Sequence, residues 1–416
     1  MPGLTANHGL GRVMTFWSAA LGGCRLVTRL LLLFVLLVLS ACASFTPGTF
    51  DEAAVRARAV TQQANGLSVS VAVLGREEAA SVFGANLHEH GVQPVWLEIT
   101  NETPKRLWFM LHGLDPNYFS ANEVAYMNHQ FLRSQANREM DRYFSQLGIE
   151  QGVDAGATVS GFAFANETIG TKEIRVQLLG DEVVRNFEFF VSVPGIRSQW
   201  AHVDFASLHR PEELIEAANE EQLLAALSGL PCCTSRLDGS GEGAPLNVVL
   251  IGGLAAIEAL ITAGWDESVS EYGFSQRFGA AFFEGREPDV QFSKSRRRIK
   301  STNLIRLWLS PIRYRGKGVM VGSVSRSIDP DVDQALIYLA EDLVTARTIA
   351  RWGYVAGVGE VPRDNPRRTF ANAPYWTSGN RLVLEMSEQP VEPYRVDVFG
   401  WDWKGRWVGF RGQDDE

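Results

Sequence analysis

The sequence predicts a multidomain, mostly α+β protein in which an immunoglobulin-like β-sandwich with a helical insertion precedes an α+β domain. Its 416 residues are enough for two to three domains. Short runs of alternating apolar and polar residues, typical of half-buried strands, recur between residues 66 and 195. From residue 245 onward, strand and helix patterns follow in the order βαββαβ, which is typical of a sheet with helices on one face.

The composition narrows the functional class. Hydrophobic residues make up 45% of the chain and charged residues 21%, as in globular proteins, so a disordered chain is excluded. Four cysteines in a chain of this length exclude a disulfide-rich scaffold. The net charge of −9 argues against a nucleic-acid partner. No motif indicates a metal site or a cofactor, so neither is expected, and the sequence leaves open whether the protein is an enzyme.

Residues 1–41 have the layout of a secretory signal peptide. They contain three arginines and no acidic residue, and ten apolar residues, 30–39, precede a pair of small ones. Ten apolar residues are too few to cross a bilayer, which needs about 20 in a helix. Met14 is an alternative start that would give a signal peptide of more usual length.

The end of this segment, Leu39-Ser40-Ala41-Cys42, resembles the lipobox of bacterial lipoproteins. The resemblance implies that Cys42 is acylated, becomes the mature N-terminus and anchors the protein in a membrane. Because Ala43 is not an aspartate, the resemblance further implies the periplasmic face of the outer membrane. An ordinary cleaved signal peptide and an uncleaved anchor are the alternatives.

The predicted sandwich follows a spacer, residues 42–65, that includes a short helical pattern at 51–63. Leu67, Val69 and Val71 alternate with serine and alanine, which predicts a strand at 67–73. Further strands are predicted at 94–100, 105–111, 158–164, 173–179 and 186–193.

A helical insertion, residues 113–150, interrupts the predicted sandwich. Ser120 and Glu123 fit the capping-box pattern at a helix start. Val124, Met127 and Phe131 then recur at helical spacing, and the pattern predicts one helix that continues to about residue 147. The insertion could be a binding element or a cap over an open edge of the sheet.

A helical linker, residues 196–244, separates the sandwich from the α+β domain, residues 245–400, and a tail, 401–416, ends the chain. In the linker, helices are predicted at 211–218 and 220–227. In the domain, Asp329 and Pro330 have the residue types of a helix N-cap and first helical position. The domain is predicted to be a ferredoxin-like βαββαβ unit with strands at 247–251, 303–309, 319–325, 354–358 and 382–386, and helices at 254–263 and from 329 onward.

Several phrases in the second half of the chain resemble the LssY C-terminal domain family of bacterial envelope proteins. The phrases are Leu230-Pro231-Cys232-Cys233-Thr234, Pro245 to Gly252, Ala263-Gly264-Trp265, Asp289 to Phe292 with Ser293 to Arg297, Arg306 to Pro311, Ile328 to Asp333 and Arg351 to Tyr354. The resemblance covers about residues 225–362. It implies an envelope protein but no activity, because the family has none assigned. Where relatives carry a longer loop with a histidine, this chain has only Ser327-Ile328 between Arg326 and Asp329.

Positive charge is concentrated in one stretch, because residues 290–328 contain ten Lys and Arg residues and no acidic residue. Such a stretch predicts a non-catalytic binding or scaffold module with a basic surface for anionic lipid or an acidic envelope polymer. Pairing with nearby acids such as Glu284 and Glu287 is the alternative. The expected anion-binding residues are Lys294, Arg296, Arg297, Arg298, Arg306, Arg313 and Arg315.

Two other functions remain open at this point. A hydrolase or transferase acting on a phosphorylated envelope lipid would use arginines to hold the phosphate and Asp266 or Glu267 as acid or base. That hypothesis predicts one pocket that contains both groups. A structural protein that docks a protein partner would instead show an exposed apolar patch around residues 113–147. No particular protein partner is indicated.

Two further motifs have structural as well as functional interpretations. Cys232 and Cys233 are adjacent and could form a strained, reducible disulfide, a local turn constraint or a buried thiol pair. Asp329, Asp331 and Asp333 have the spacing of a calcium loop, but the sixth position is not glycine. A role at the N-terminus of the helix is therefore expected for these acids.

Overall fold

The computed structural model describes residues 45–181, 183–196, 198–268, 281–296, 301–327, 329–370 and 372–401. The chain divides into two compact units, the first comprising residues up to 167 and 178–184, and the second comprising 168–177 and 185 onward. The predicted signal peptide, Cys42, Arg297, Arg298 and all but the first residue of the tail lie outside the described residues. No helix in the described ranges combines the length and apolarity needed to span a membrane.

The first unit begins within the segment predicted as a spacer. Helix α1 (Glu52–Ala57) is capped by the side chain of Asp51, and its residue Val55 is buried. Strand β1 (Val60–Ala64) then pairs antiparallel with β2 (Leu67–Val73). Residues 51–64 therefore belong to the folded unit.

The predicted strands of residues 66–195 all form. One four-stranded sheet has the order β1-β2-β3-β6, and another has the order β5-β4-β7-β8. The remaining elements are α2 (Arg76–Phe83), β3 (Val92–Asn101), β4 (Leu107–Met110), the single turn α3 (Leu111–Leu114), β5 (Gly152–Val153), β6 (Thr158–Asn166), β7 (Thr171–Gly180) and β8 (Val183–Ser192). The tip of the β7–β8 hairpin, residues 178–184, belongs to the first unit.

The insertion forms two helices, α4 (Ala121–Met127) and α5 (Ser134–Leu147), so the prediction of one continuous helix is wrong. The predicted capping box of Ser120 and Glu123 is confirmed. Helix α4 ends where the Asn128 side chain donates to the carbonyl of Val124 at 2.8 Å, and Leu132 has a left-handed φ of 61°. The helices share a core with Trp96 and Phe162 on the face of a sheet. The residues that flank them, Phe119 and Gly148, form bridges to β6, the edge strand of that sheet.

The second unit is built on a nine-stranded mixed sheet of order β11-β12-β13-β14-β10-β18-β15-β19, with β9 paired to β13. Its strands are β9 (Ile215–Ala217), β10 (Val248–Ile251), β11 (Asp266–Glu267), β12 (Val290–Arg296), β13 (Ser301–Tyr314), β14 (Lys317–Arg326), β15 (Ile349–Ala356), β18 (Asn380–Met386) and β19 (Asp397–Val398). A separate small hairpin consists of β16 (Arg367–Arg368) and β17 (Pro374–Tyr375). The helices are α6 (Glu220–Ser228), α7 (Leu254–Thr262) and α8 (Val332–Thr345).

Successive residues of a strand point to opposite faces of the sheet, and apolar residues that point each way form a core on each face of this sheet. Helices α7 and α8 share one core with Leu250 and Ile305, and helix α6 shares the other with Val249 and Val383. The predicted mixture of helices and sheets is therefore confirmed at the level of an α+β protein.

Two local predictions in the second unit are wrong. The helix predicted at 211–218 is a short 3₁₀ turn, Pro211–Glu213, followed by β9, which gains its hydrogen bonds by pairing parallel to β13. Helix α8 starts two residues later than predicted. Its N-cap is Asp331, because the Asp331 carboxylate accepts from the backbone N–H of Asp333 and Gln334.

Candidate anion-binding site

The expected anion-binding residues do not share one surface in the part of the chain that the structure describes. Lys294 donates to the carbonyl of Ala263 at 2.7 Å and to Asp342 of α8 at 2.8 Å. Arg313 and Arg315 are exposed at the far end of β13, about 23 Å along the strand from Arg306. The structure does not describe the side chains of Arg296, Arg297 and Arg298.

Arg306 differs from the other bases because it is almost buried, with 9% of its surface exposed. It lies in the middle of three strands, opposite Gln291 of β12 and Ser323 of β14. Its Nε donates to Oε1 of Gln291 at 3.2 Å. Since side chains alternate along a strand, Arg306 lies on the sheet face opposite that of Lys294 and the α7–α8 core.

A cavity of about 290 Å³ opens beside Arg306 on this face. Its lining is a mixture of polar and apolar residues. The polar members are Thr234, Thr302, Arg306, Ser325, Arg326, Ser327, Asp329 and Thr369, and the apolar and aromatic members include Ala281, Leu304, Pro330, Val332, Phe370 and Tyr375. Arginine and hydroxyl donors converging on one cavity are the groups that bind the oxygens of a phosphate or carboxylate. We call this the Arg306 cavity.

The electrostatics of Arg306 favour an anion in the cavity. Burial lowers the pKa of the Arg306 guanidinium to about 10, because leaving water penalises the charged form. The guanidinium remains protonated at neutral pH. An anion brought next to it would offset part of the cost of burial, since attraction between opposite charges is stronger at a buried position than in water.

The second arginine of the cavity, Arg326, is held by neighbours. Its Nε donates to Oδ1 of Asn303 at 3.0 Å, and its guanidinium lies 5.6 Å from the ring centre of Tyr338. Asp329 approaches it at 3.9 Å and also accepts from the backbone N–H of Asp331. Because Arg326 pairs with Asn303 in the register of β13 and β14, its guanidinium lies on the sheet face of α8, opposite that of Arg306.

The segment that follows the two adjacent cysteines in the chain forms one wall of the cavity. Cys232 and Cys233 are joined by a disulfide, and Thr234 follows them with only 1% of its surface exposed. Thr234 exchanges backbone hydrogen bonds with the segment around Gly243 and Ala244. A Cβ at Gly243 would collide with the Thr234 hydroxyl and with the ring of Phe370, so this wall requires glycine there.

Arg381 fixes the chain behind this wall. Its guanidinium is fully buried and donates to five backbone carbonyls. The acceptors are the carbonyls of Leu227, Leu230, Pro231, Leu246 and Gly357, at 2.5–3.1 Å. Burial lowers the pKa of Arg381 to about 10. The residue therefore connects α6, the cysteine segment and β18.

The carboxylates of the catalytic hypothesis lie elsewhere. Among the described residues that line the Arg306 cavity, neither Asp266 nor Glu267 appears. Partial burial raises the pKa of Asp266, and the charge of Lys294 opposes that shift. Glu267 is buried, and its Oε2 accepts from the hydroxyl of Ser198. The pocket predicted to combine these acids with Arg306 does not form in the described part of the chain.

The acidic triplet at the start of α8 has structural partners. Asp331 caps the helix, and Asp333 accepts from the hydroxyl of Thr377 at 2.6 Å and the backbone of Ser378 at 2.7 Å. With Asp329 bonded to the Asp331 backbone, all three carboxylates hold the chain around the helix start.

Trp265 and Arg351 lie in two other segments that resemble the LssY family, and both side chains bond to neighbouring elements. Trp265 Nε1 donates to Asp342 of α8 at 3.1 Å. Arg351 bonds Glu385 through two nitrogens and Glu220 through a third, so it ties β15 to β18 and α6. No protein-family model matches the chain, and no curated protein matches it.

Proposed function

We propose that the protein is a lipid-anchored, non-catalytic binding module of the bacterial cell envelope that holds an anionic envelope component in the Arg306 cavity. The observation that carries this proposal is the nearly buried Arg306 at a cavity lined by hydroxyl groups. The lipobox-like sequence ending in Cys42 supports anchoring at the periplasmic face of the outer membrane.

The chemistry of the lining favours a phosphate monoester on a hydroxyl-bearing group. Arg306 supplies a guanidinium donor, and Thr302 and Ser325 supply hydroxyls that donate or accept. The rings of Phe370 and Tyr375 add apolar walls. About 290 Å³ is near the lower end of small-molecule sites, so a compact headgroup fits better than a long polymer.

The surroundings of the cavity favour binding over hydrolysis or transfer. Asp329 is its acidic lining residue among those described, and that carboxylate already interacts with Arg326 and the backbone of Asp331. A general acid or base needs a carboxyl group that can reach the reacting atom. Asp266 and Glu267, which the catalytic hypothesis needs, do not line the cavity.

We further propose an immunoglobulin-like fold for residues 66–195 and a ferredoxin-like core for the α+β domain. Two four-stranded sheets and a helical insertion support an immunoglobulin-like sandwich at residues 66–195. The antiparallel strands β10, β14 and β13, with α7 and α8 on one face, support part of a ferredoxin-like core in an LssY-like domain. Strand β15, which follows α8 and would be the fourth strand of that core, pairs with β18 instead of β10. Strand β10 runs parallel to β18 and antiparallel to β14, and further strands extend the sheet on both sides.

The proposal predicts phosphate binding that depends on Arg306. We expect Arg306→Gln to weaken the binding of glycerol 3-phosphate on the order of tenfold to a hundredfold, because one charge-assisted contact contributes about 1.5–3 kcal/mol. Isothermal titration of the full mature protein measures this. Arg313→Gln removes an exposed charge from the same strand and should leave the affinity within about twofold. Equal losses in both variants would contradict a defined cavity site.

A further inference from the structure

The first unit carries an exposed apolar cluster where α4 ends and α5 begins. The exposed fractions are 73% for Tyr126, 38% for Met127, 90% for Phe131 and 62% for Leu132. We call these four residues the α4–α5 tip. This is the exposed apolar patch that a protein-docking function predicts. Side chains this large and this exposed lose favourable burial unless another surface, a protein or a bilayer, covers them.

The surface of α5, which follows the tip, carries charges of both signs. Ala136, Met140 and Phe144 are its buried residues, so Arg138 and Arg142 lie on the opposite, exposed side of the helix. Two acids lie between these arginines in the sequence: Glu139 accepts from the Gln135 amide at 3.1 Å, and Asp141 bonds His129 at 2.8 Å. Apolar residues beside exposed arginines complement the interface of an anionic bilayer.

The position of the predicted anchor relates this surface to a membrane. Phe45 is three positions after Cys42 in the sequence, a reach of about 11 Å at most. The ring of Phe45 packs 5.7 Å from the ring of Tyr143 in α5. An acyl anchor at Cys42 would therefore hold the α5 region next to the bilayer, without a long tether.

We propose that the α4–α5 tip inserts into the bilayer interface, with Arg138 and Arg142 facing anionic headgroups. This inference rests on the lipid anchor of the proposed function. It is independent of the Arg306 cavity. Phe131 and Leu132 bury their side chains among the acyl chains, and Tyr126 lies at the level of the headgroups.

The test uses the full acylated protein, reconstituted into vesicles of phosphatidylethanolamine and phosphatidylglycerol. Phe131→Cys is labelled with an environment-sensitive fluorophore, and spin-labelled lipids quench probes that enter the bilayer. Cys232 and Cys233 are joined, and Cys42 would be acylated, so the new thiol is the reactive one. Gln63→Cys on the exposed strand β1 is the matched control.

We expect a blue-shifted emission and roughly twofold or greater quenching at position 131, and neither change at position 63. A probe at 131 that stays in water while mass spectrometry shows acylated Cys42 would overturn the tip proposal. Unmodified Cys42 would instead contradict the proposed acyl anchor. The same quenching experiment with added vesicles would then show whether the α4–α5 tip inserts into the bilayer. Shielding in whole envelopes but not in vesicles would indicate a protein partner and exclude lipid.

Discussion

Replacing Arg381 with methionine is expected to destabilise the second unit by on the order of 4 kcal/mol. The variant removes one donor from each of five backbone carbonyls around a fully buried side chain, of which the Leu227 carbonyl keeps a second donor, the Leu230 N–H. Each buried acceptor left without a donor costs about 1–3 kcal/mol, which exceeds the desolvation cost that is relieved when the guanidinium is removed. Hydrogen exchange on peptides from β10 and β18 measures the loss for this unit alone.

Two matched variants make the Arg381 result specific. Arg381→Lys keeps the charge, but an ammonium group has three donors and cannot reproduce the planar arrangement of the guanidinium donors. We therefore expect a loss of stability smaller than that of Arg381→Met. Arg395→Met changes an exposed arginine and should shift stability by no more than about 0.5 kcal/mol. A loss below about 1 kcal/mol for Arg381→Met would show that the carbonyls are satisfied without it.

The second unit should lose stability as the pH rises from about 5 to 8, and Glu173 should account for part of that loss. Burial, assisted by the neighbouring Glu188, raises the pKa of Glu173 to about 7 from an ordinary value of 4.5, and the ion pair with Arg175 opposes the shift. The folded state therefore binds the proton more tightly than the unfolded state. The resulting stability is fully present below pH 4.5 and is lost as the pH rises through 7, by about 1–3 kcal/mol.

Glu173→Gln tests this assignment because the amide cannot ionise. The variant should show a smaller difference in unfolding free energy between pH 5 and pH 8 than the parent protein, measured by hydrogen exchange in the second unit. Glu221→Gln, at an exposed position of α6, should keep the parental difference. A Glu173→Gln protein with the full parental pH dependence would assign the effect to other groups.

Local patterns predicted many elements of the fold because each is stabilised by its own residues. The alternation from Leu67 gives β2, and the capping box of Ser120 starts α4. The break between α4 and α5 was not predicted, because apolar residues continue at helical spacing through Phe131 although the chain exposes them. Strand β9 was missed for a different reason, since its hydrogen bonds come from β13, about a hundred residues away.

The candidate site was only partly predictable. The excess of positive charge pointed to Arg306 but also to Lys294 and Arg313, because the sequence does not show which base is buried, paired or exposed. Arg381 could not be assigned a role, since its acceptors are carbonyls from three segments that are distant in the sequence, residues 227–231, Leu246 and Gly357. A charged residue next to the apolar run that begins at Leu382 was the one available signal.

The most direct test of the central claim is a crystal of the mature protein, grown without phosphate and soaked in selenate, an anomalously scattering tetrahedral anion. We expect an anomalous peak inside the Arg306 cavity, within hydrogen-bonding distance of the guanidinium. Arg306→Gln crystals soaked in the same way should lack that peak. Selenate found only at exposed residues such as Arg313 and Arg315, with an empty cavity, would contradict an anion site beside Arg306.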